Sequence, residues 1–258
     1  MVESIVGVDQ PNNLVYFTGT ETSPLERHLY SLPLMGTTMP PPLKLTTERG
    51  MHHVVMSHNH RLFVDMASTP DAPPKVRLYA LDAPGTSAPL RAVRDVHDAM
   101  DDRVKALAER LTPPELFSFQ SCDGADELFG ALYRPKVAEY GPGPYPTIVA
   151  VYGGPHVQRV SSSWGMAVDM RAQWLCALGF CVLKCDNRGS SRRGLHFEGA
   201  VKNNMGELEV SDQEDAVNWA VAKGITDPQR VGMYGWSYGG YMSAMSLCKL
   251  QDQRQHID

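Results

Sequence analysis

The sequence predicts an alternating α/β domain that follows an all-β region. After about residue 112, apolar runs typical of strands alternate with helical segments, which indicates a mostly parallel sheet with crossover helices. Before that point, a strand–turn–strand pattern occurs twice, about 50 residues apart. Near the end of the chain, Ser237 stands between two glycines, after an apolar run and before a helical one. These three observations define the predicted architecture.

The N-terminal region repeats itself. Residues 27–32, Arg-His-Leu-Tyr-Ser-Leu, recur as Val-Arg-Leu-Tyr-Ala-Leu at 76–81, and a β-rich run precedes each copy, at 14–17 and at 62–64. Antiparallel propeller blades repeat in this way, with a period of about 50 residues. A closed propeller typically has about four to eight blades, and only about two fit here. Either the N-terminal part of a propeller is missing or these strands form a smaller sheet. We favour the first and expect the last part of a β-propeller.

The pattern changes after the repeats. Between Arg91 and Leu111, apolar residues recur at three- and four-residue steps among charges, which predicts a helix or helical linker. These residues are Val93, Val96, Met100, Val104, Leu107 and Leu111. Thr112-Pro113-Pro114 ends the segment because proline cannot continue a helix. We place the domain boundary there, with propeller blades and linker at 1–111 and the α/β domain at 112–258.

Strands and helices can then be assigned in turn. We predict first an edge hairpin of 117–119 with 128–133 and then a buried strand at 147–152. A helix follows, with one apolar face formed by Met170, Trp174, Leu175 and Leu178. After it come a strand at 180–185 and a second helix, whose inner residues are Ala216, Val217, Ala220 and Val221. Gly179 ends the first helix, and Ser211-Asp-Gln-Glu214 is interpreted as a capping box that opens the second.

The glycine-flanked serine fits the G-x-S-x-G nucleophile elbow. Gly235-Trp-Ser237-Tyr-Gly239 follows the apolar run 230–234 and precedes residues that suit a helix. A sharp strand-to-helix turn forces the serine into strained dihedrals and exposes its hydroxyl, and a Cβ at either glycine would collide with a neighbouring element. Ser237 is the predicted nucleophile, and the elbow selects the α/β-hydrolase sheet within the parallel α/β class. The alternative is a glycine-rich turn with an idle serine.

An acyl-transfer serine needs two hydrogen-bond donors where the oxyanion forms. One is the backbone N–H of the residue after the nucleophile, which is Tyr238, and the other comes from the loop after an earlier strand, here 151–155. The two glycines of that loop allow close approach, and Tyr152 could supply a phenolic donor. The alternative is that Tyr152 only caps the end of a core strand.

The combined motifs resemble a known family of serine peptidases. They are Tyr152-Gly-Gly-Pro155, Asp186-Asn-Arg-Gly-Ser190, Arg193-Gly194, Phe197-Glu-Gly-Ala200, Gly235-Trp-Ser-Tyr-Gly-Gly240 and, in the blade region, Val15 to Tyr30. The pattern is similar to the prolyl oligopeptidase clan and, within it, to the dipeptidyl peptidase IV family, most of all to its cytosolic members. The resemblance covers nearly the whole chain.

The resemblance implies roles for individual residues. Ser237 would be the nucleophile, and Tyr152 with the N–H of Tyr238 would form the oxyanion hole. The family removes N-terminal dipeptides with proline or alanine in second position and has a propeller that restricts access. We expect no cofactor or metal, and the intact protein could form a homodimer. Arg188 would be a structural or domain-contact residue; a solvated loop arginine is the alternative.

The remaining members of the triad are not evident. In this fold the Asp and His follow the serine on later loops, and the family places them far beyond the residues that follow Ser237 here. Asp252, His256 and Asp258 do not replace them, because a helix after the elbow would carry them about 15 Å from the hydroxyl. We expect the triad Asp and His to be absent, the sheet to be truncated with an exposed apolar edge, and this fragment to be inactive alone.

Composition excludes several function classes. With 43% hydrophobic residues, 21% charged residues and a net charge of −5, the chain suits an ordinary globular protein and gives no reason to expect nucleic acid or an anionic membrane as partner. Five cysteines without a CxxC motif, no N-x-[ST] sequon and no signal-like N-terminus favour a reducing, cytoplasmic location.

Four histidines, at positions 52, 53, 58 and 60, raise the question of a metal. No HExxH motif, paired cysteines or suitably spaced carboxylates accompany them, so we expect no metal site. Residues 58–60 are predicted to be a polar turn between two strands.

Three hypotheses about function remain. The first is part of a dipeptidyl-peptidase-like serine exopeptidase, which the paired elbow and oxyanion-loop motifs favour. The second is another α/β-hydrolase, an acylaminoacyl peptidase or an esterase. The third is a naturally short, non-catalytic form that acts by binding.

Overall fold

The structure, a computed structural model, describes residues 1–36, 38, 40–88, 90–99 and 101–254. Two compact units share the chain, with Met1–Leu111 and Ser161–Ala167 in the first and Thr112–Val160 and Val168–Asp258 in the second. None of the described helices is long and apolar enough to cross a membrane.

The first unit consists of two four-stranded antiparallel sheets, each with its strands in sequential order. One contains β1 (Val2–Asp9), β2 (Leu14–Gly19), β3 (His28–Pro33) and β4 (Leu43–Lys44), and the other β5 (Met51–Met56), β6 (Leu62–Thr69), β7 (Ala72–Ala80) and β8 (Arg91–Asp98). The repeated runs of the sequence are β2 with β3 and β6 with β7, so the blade-like repeat is confirmed. The hydrophobic core of this unit contains Leu14, Tyr16, Leu29, Leu45, Phe63 and Leu81.

The helix predicted between Arg91 and Leu111 is wrong over most of its length. Residues 91–98 form strand β8, which pairs antiparallel with β7, and only α1 (Asp102–Ala108) is helical. Asp95 accepts from Arg77 at 2.6 Å and lies 3.1 Å from Lys75, and both cations are on β7. The pairing with β7 holds the segment extended and these ion pairs lie across it, and a local apolar period reveals neither. Met100 lies outside the described residues.

The buried histidines of the first unit, His28 and His52, have structural partners. His52 is buried, with Nδ1 2.7 Å from Asp65 Oδ2 and Nε2 2.9 Å from the carbonyl oxygen of Glu48. Residues 58–60 lie in the turn between β5 and β6, as predicted. Among the described residues, no group of three or more His, Cys, Asp or Glu side chains is arranged to hold a metal.

A short helix, α3 (Trp164–Ala167), also belongs to this unit.

The second unit is a five-stranded mixed sheet with helices. Its elements are β9 (Glu115–Gln120), β10 (Glu127–Tyr133), α2 (Val137–Tyr140), β11 (Tyr145–Val151), α4 (Met170–Ala177), β12 (Cys181–Asp186), α5 (Leu195–Glu198), α6 (Leu208–Ala222), β13 (Thr226–Gly235) and α7 (Tyr238–Arg254). The strand order is β13-β11-β12-β10-β9. Strands β11, β12 and β13 are parallel, and the β9–β10 hairpin joins them antiparallel, at the edge where it was predicted.

The two predicted helices begin or face differently from expectation. The capping box at 211–214 is wrong, because α6 begins at Leu208 after Glu207, and Ser211 lies inside the helix. On α4, Trp174 is 60% exposed, whereas Ala172 and Cys176 are buried. The face predicted for α4 is therefore not its buried one: Met170, Trp174 and Leu175 line an open groove beside β13, and Leu178 is exposed at the C-terminal end of the helix. Strand β13, as expected, has a neighbour on only one side among the described strands.

Candidate active site

Ser237 occupies a strained turn between β13 and α7. Its φ is +57°, in the left-handed region that non-glycine residues rarely adopt, and its side chain is exposed. The N–H of Gly240 donates to the carbonyl oxygen of Ser237 at 2.9 Å, which closes the turn. The strand, the turn and the helix that the motif requires are therefore all present.

Both flanking glycines are required by close backbone approach. A Cβ on Gly235 would lie 2.5 Å from Cα of Gly239, and a Cβ on Gly239 would overlap the carbonyl oxygen of Val151 at the end of β11. By contrast, the nearest atom to a Cβ on Gly240 would be 3.8 Å away. The elbow therefore packs backbone against backbone at its first two glycines and is open at the third.

The loop after β11 lies beside the elbow. A Cβ on Gly154 would come within 2.6 Å of Cγ of Tyr238, and one on Gly153, whose φ is +77°, within 2.8 Å of Cγ of Met242. The ring centroids of Tyr152 and Tyr238 are 6.2 Å apart. Tyr238 is the first residue of α7, so its N–H has no acceptor within the helix. The structure thus brings together the three residues that were predicted to form the site.

The side-chain amides of two buried residues, Asn187 and Gln213, support the loop after β11. Asn187 Nδ2 donates to the carbonyl oxygen of Gly153 at 2.9 Å, and Gln213 Nε2 donates to Asn187 Oδ1 at 2.9 Å. Both amide residues are at most 1% exposed. Sequence reasoning assigned no role to either of them, because their partners lie on other elements.

Arg188 is part of a buried ion pair rather than a solvated loop residue. Its guanidinium binds Asp212 through Nη2 at 2.6 Å and Nε at 3.1 Å, and Nη1 donates to Asp123 at 2.6 Å. Asp212 is fully buried, and Arg188 is 5% exposed. Its hydrogen bond to Asp212 raises the pKa of Arg188, which keeps the guanidinium charged. The solvated alternative is therefore wrong and the structural reading holds.

Tyr238 has a buried acidic partner that the sequence did not suggest. Its hydroxyl donates to Oε1 of Glu209 at 2.6 Å. Burial, together with this bond to Glu209, raises the pKa of Tyr238, so the phenol stays protonated. A search along α6 for polar residues on its buried face would have pointed to Glu209.

A catalytic base for Ser237 is not found in the part of the chain that the structure describes. There, the Ser237 side chain makes no hydrogen bond to a histidine or a carboxylate. Of the late candidates that the sequence offered, His256 and Asp258 lie outside the described residues, and so does the side chain of Asp252.

Comparisons with known proteins agree with the two-part architecture. Residues 166–254 match the model of the prolyl oligopeptidase family, and residues 1–74 match the model of the dipeptidyl peptidase IV N-terminal region. The chain is 38% identical over 251 residues to dipeptidyl peptidase 8 of Mus musculus and likewise of Homo sapiens, covering 96% of this chain and 27% of each relative. It is 31% identical over 252 residues to a probable dipeptidyl peptidase 4 of Aspergillus fumigatus, 94% of this chain and 30% of that protein. The chain thus spans less than a third of the length of these relatives.

Proposed function

Because the chain belongs to the prolyl oligopeptidase family, with an N-terminal region of the dipeptidyl peptidase IV type, we propose that it carries the nucleophile of a serine-type dipeptidyl peptidase on an α/β-hydrolase sheet. The observation that carries the proposal is the left-handed Ser237, exposed between β13 and α7. The three relatives compared above are named dipeptidyl peptidases or probable dipeptidyl peptidases, and these names favour this activity over an acylaminoacyl peptidase or an esterase.

The proposed reaction uses the groups around the elbow. The Oγ of Ser237 attacks the carbonyl carbon of the scissile peptide, and the oxyanion accepts hydrogen bonds from the N–H of Tyr238 and the phenol of Tyr152. The N-terminus of α7 adds a favourable dipole at this position. Collapse of the intermediate breaks the C–N bond, releases the shortened peptide as an amine and leaves the dipeptide as an acyl ester on Ser237. Water then hydrolyses that ester.

The reaction also needs a base that takes the Ser237 proton and returns it to the leaving amine. We propose that this histidine and its Asp partner are not among the 258 residues. The described part of the chain offers Ser237 no such partner, and a helix that continues from the elbow would carry His256 and Asp258 away from the hydroxyl. An elbow serine without its base keeps only the modest advantage of the oxyanion hole. We therefore propose that the 258-residue chain alone is nearly inactive. A homodimer of the intact protein is part of the same proposal.

A cytoplasmic location fits the state of the cysteines. All five are free, and three of them, Cys176, Cys181 and Cys185, are buried. Burial raises the pKa of Cys176 and of Cys181 to about 12, so these thiols are unreactive fillers of the core. Such use of cysteine suits a reducing compartment.

Labelling with a fluorophosphonate probe tests the nucleophile. We expect a hybrid, in which this chain replaces the matching region of mouse dipeptidyl peptidase 8, to be labelled. Ser237→Ala should abolish the labelling. The matched control is Ser243→Ala, a serine of α7 whose hydroxyl donates to the carbonyl oxygen of Gly239, and it should leave labelling within about twofold. The 258-residue chain alone should stay at the level of Ser237→Ala.

Each arm can contradict one part of the proposal. A folded hybrid that stays unlabelled, or one that Ser237→Ala still leaves labelled, would overturn Ser237 as the nucleophile. Ser237-dependent labelling of the 258-residue chain would instead show that a base is present within it.

The substrate class needs a separate measurement on a longer product that contains this chain. We expect such a product to release a dipeptide from substrates with proline or alanine in second position, for example Gly-Pro-p-nitroanilide. N-acetylation of that substrate should reduce cleavage by about 100-fold or more, because a dipeptidyl peptidase must recognise the free amine. With the acetylated substrate, the buried polar groups of the enzyme that bind this amine would be left unpaired. Faster cleavage of the acetylated form would indicate an acylaminoacyl peptidase.

A further inference from the structure

Glu209 is a fully buried carboxylate with few partners. It lies in the first turn of α6 and is 0% exposed. One oxygen, Oε1, accepts from the hydroxyl of Tyr238 at 2.6 Å and from the N–H of Gly206 at 2.7 Å. The other oxygen, Oε2, is buried without a hydrogen-bond partner among the described residues. Burying a carboxylate so sparsely paired is unfavourable, so Glu209 depends on these two hydrogen bonds, one at the start of its own helix and one to Tyr238.

The partner of Glu209 is the residue that follows the nucleophile. Two residues confine the ring of Tyr238. Gly154, in the loop 151–155, lies so close that a Cβ on it would come within 2.6 Å of Cγ of Tyr238, and the ring of Tyr241 meets the Tyr238 ring edge-on with centroids 5.2 Å apart. The hydroxyl of Tyr238 is fixed by Glu209. The orientation of the Tyr238 side chain is therefore coupled to the position of its own backbone N–H and to that of the loop that carries Tyr152.

The left-handed conformation of Ser237 makes this anchoring important. Such a conformation is unfavourable for a residue other than glycine and persists only where the surroundings determine it. The peptide group between Ser237 and Tyr238 contains the proposed oxyanion donor. We infer that Glu209 is a positioning residue that acts through Tyr238 to hold this peptide group in the orientation that an oxyanion requires. The inference rests on the proposed function, because it assigns Glu209 to the same site.

A thiol in place of the Ser237 hydroxyl reports this geometry without a catalytic base. A thiol at a helix N-terminus with free N–H donors has a lowered pKa, and its reaction with a disulfide reagent requires only the thiolate. The measurement is the rate of reaction of Ser237→Cys with 5,5′-dithiobis(2-nitrobenzoate) as a function of pH, in a Cys122→Ser, Cys248→Ser background. That background removes the exposed native thiols, and the other three are buried.

Four further substitutions in this reporter test Glu209. Glu209→Ala and Tyr238→Phe should each raise the apparent pKa of the reporter thiol by about one unit, toward that of an ordinary cysteine. Because a more basic thiolate is also more nucleophilic, the net loss of rate below that pKa is about threefold. Glu209→Gln keeps an acceptor oxygen and should behave like the parent reporter. Glu207→Ala is the matched control, because that glutamate of the same region is exposed and pairs with Lys249.

The double variant separates positioning from a general loss of stability. If both residues act through one hydrogen bond, Glu209→Ala combined with Tyr238→Phe should shift the thiol pKa no further than either change alone. Additive shifts would overturn the inference. If Glu209→Ala fails to fold by circular dichroism, Tyr238→Phe and Glu209→Gln decide, since the inference requires a shift in the first and none in the second.

Failure of the inference and failure of the proposed function give different results. A parent reporter with a lowered pKa that Tyr238→Phe and Glu209→Ala leave unchanged would overturn the role of Glu209 alone. A parent reporter with an ordinary cysteine pKa would contradict the arrangement of oxyanion donors, and with it the proposed function.

Discussion

Gly239→Ala is expected to lower the free energy of unfolding of the second unit by about 3 kcal/mol or more, or to prevent its folding, whereas Gly240→Ala should change it by less than about 1 kcal/mol. A Cβ on Gly239 would overlap the carbonyl oxygen of Val151 and lie 3.3 Å from Cα of Tyr152. Both obstacles are backbone atoms, so no side-chain rotation relieves the overlap. Strand β11 cannot retreat, because it is paired on both sides, with β12 and with β13.

The adjacent glycine is the matched control for this prediction. Gly240 has the same residue type and helix, but a Cβ there meets no atom closer than 3.8 Å. Alanine is also the better helix former, so Gly240→Ala should be neutral or slightly stabilising. Urea unfolding followed by circular dichroism compares the two variants. Equal midpoints would show that the elbow helix does not approach β11 as closely as the structure has it.

The elbow could be predicted from the sequence because its determinants are local. Two glycines, a serine, an apolar run before them and a helical run after them lie within one stretch of chain, and sterics alone impose the turn. The blade repeat was predictable for a similar reason, since the pattern occurs twice. The segment 91–98 was mistaken for helix because what holds it extended, the antiparallel pairing with β7, involves residues that lie elsewhere in the sequence.

The supports of the candidate site were missed for a related reason. The buried face of α6 was assigned to apolar residues including Ala216 and Ala220, yet the same helical stripe continues toward the N-terminus as Glu209, Asp212 and Gln213. Asp212 and Gln213 were interpreted as part of a helix start, because polar residues favour caps, and Glu209 was assigned no role. Each has its partner on another element, so only the tertiary structure reveals its role. Extending the period of the apolar stripe would have identified all three as buried polar groups.

The ion pair at the end of β12 leads to the second prediction of large effect. Arg188→Ala should lower the free energy of unfolding by about 3–5 kcal/mol, because it leaves Asp212 as an uncompensated charge in the interior. Asp123→Ala removes the other partner of the same guanidinium. The side chain of Asp123 is 47% exposed, so its loss should cost less than about 1 kcal/mol. Urea midpoints of the two variants, measured side by side, check this difference.

The consequence of Arg188→Ala should extend beyond stability, because Arg188 follows Asn187 directly in the chain. The Asn187 amide holds the carbonyl of Gly153, and Asp212 accepts the backbone N–H of Arg188 at 2.7 Å as well as its guanidinium. Loss of the ion pair should therefore loosen the loop that carries Tyr152. Hydrogen exchange over residues 145–155, which include the paired end of β11, would detect this as faster exchange under conditions where the variant remains folded. Equal losses of stability in Arg188→Ala and Asp123→Ala would contradict the buried pairing. A large loss with unchanged exchange would separate the ion pair from the candidate site and leave it as a purely structural contact.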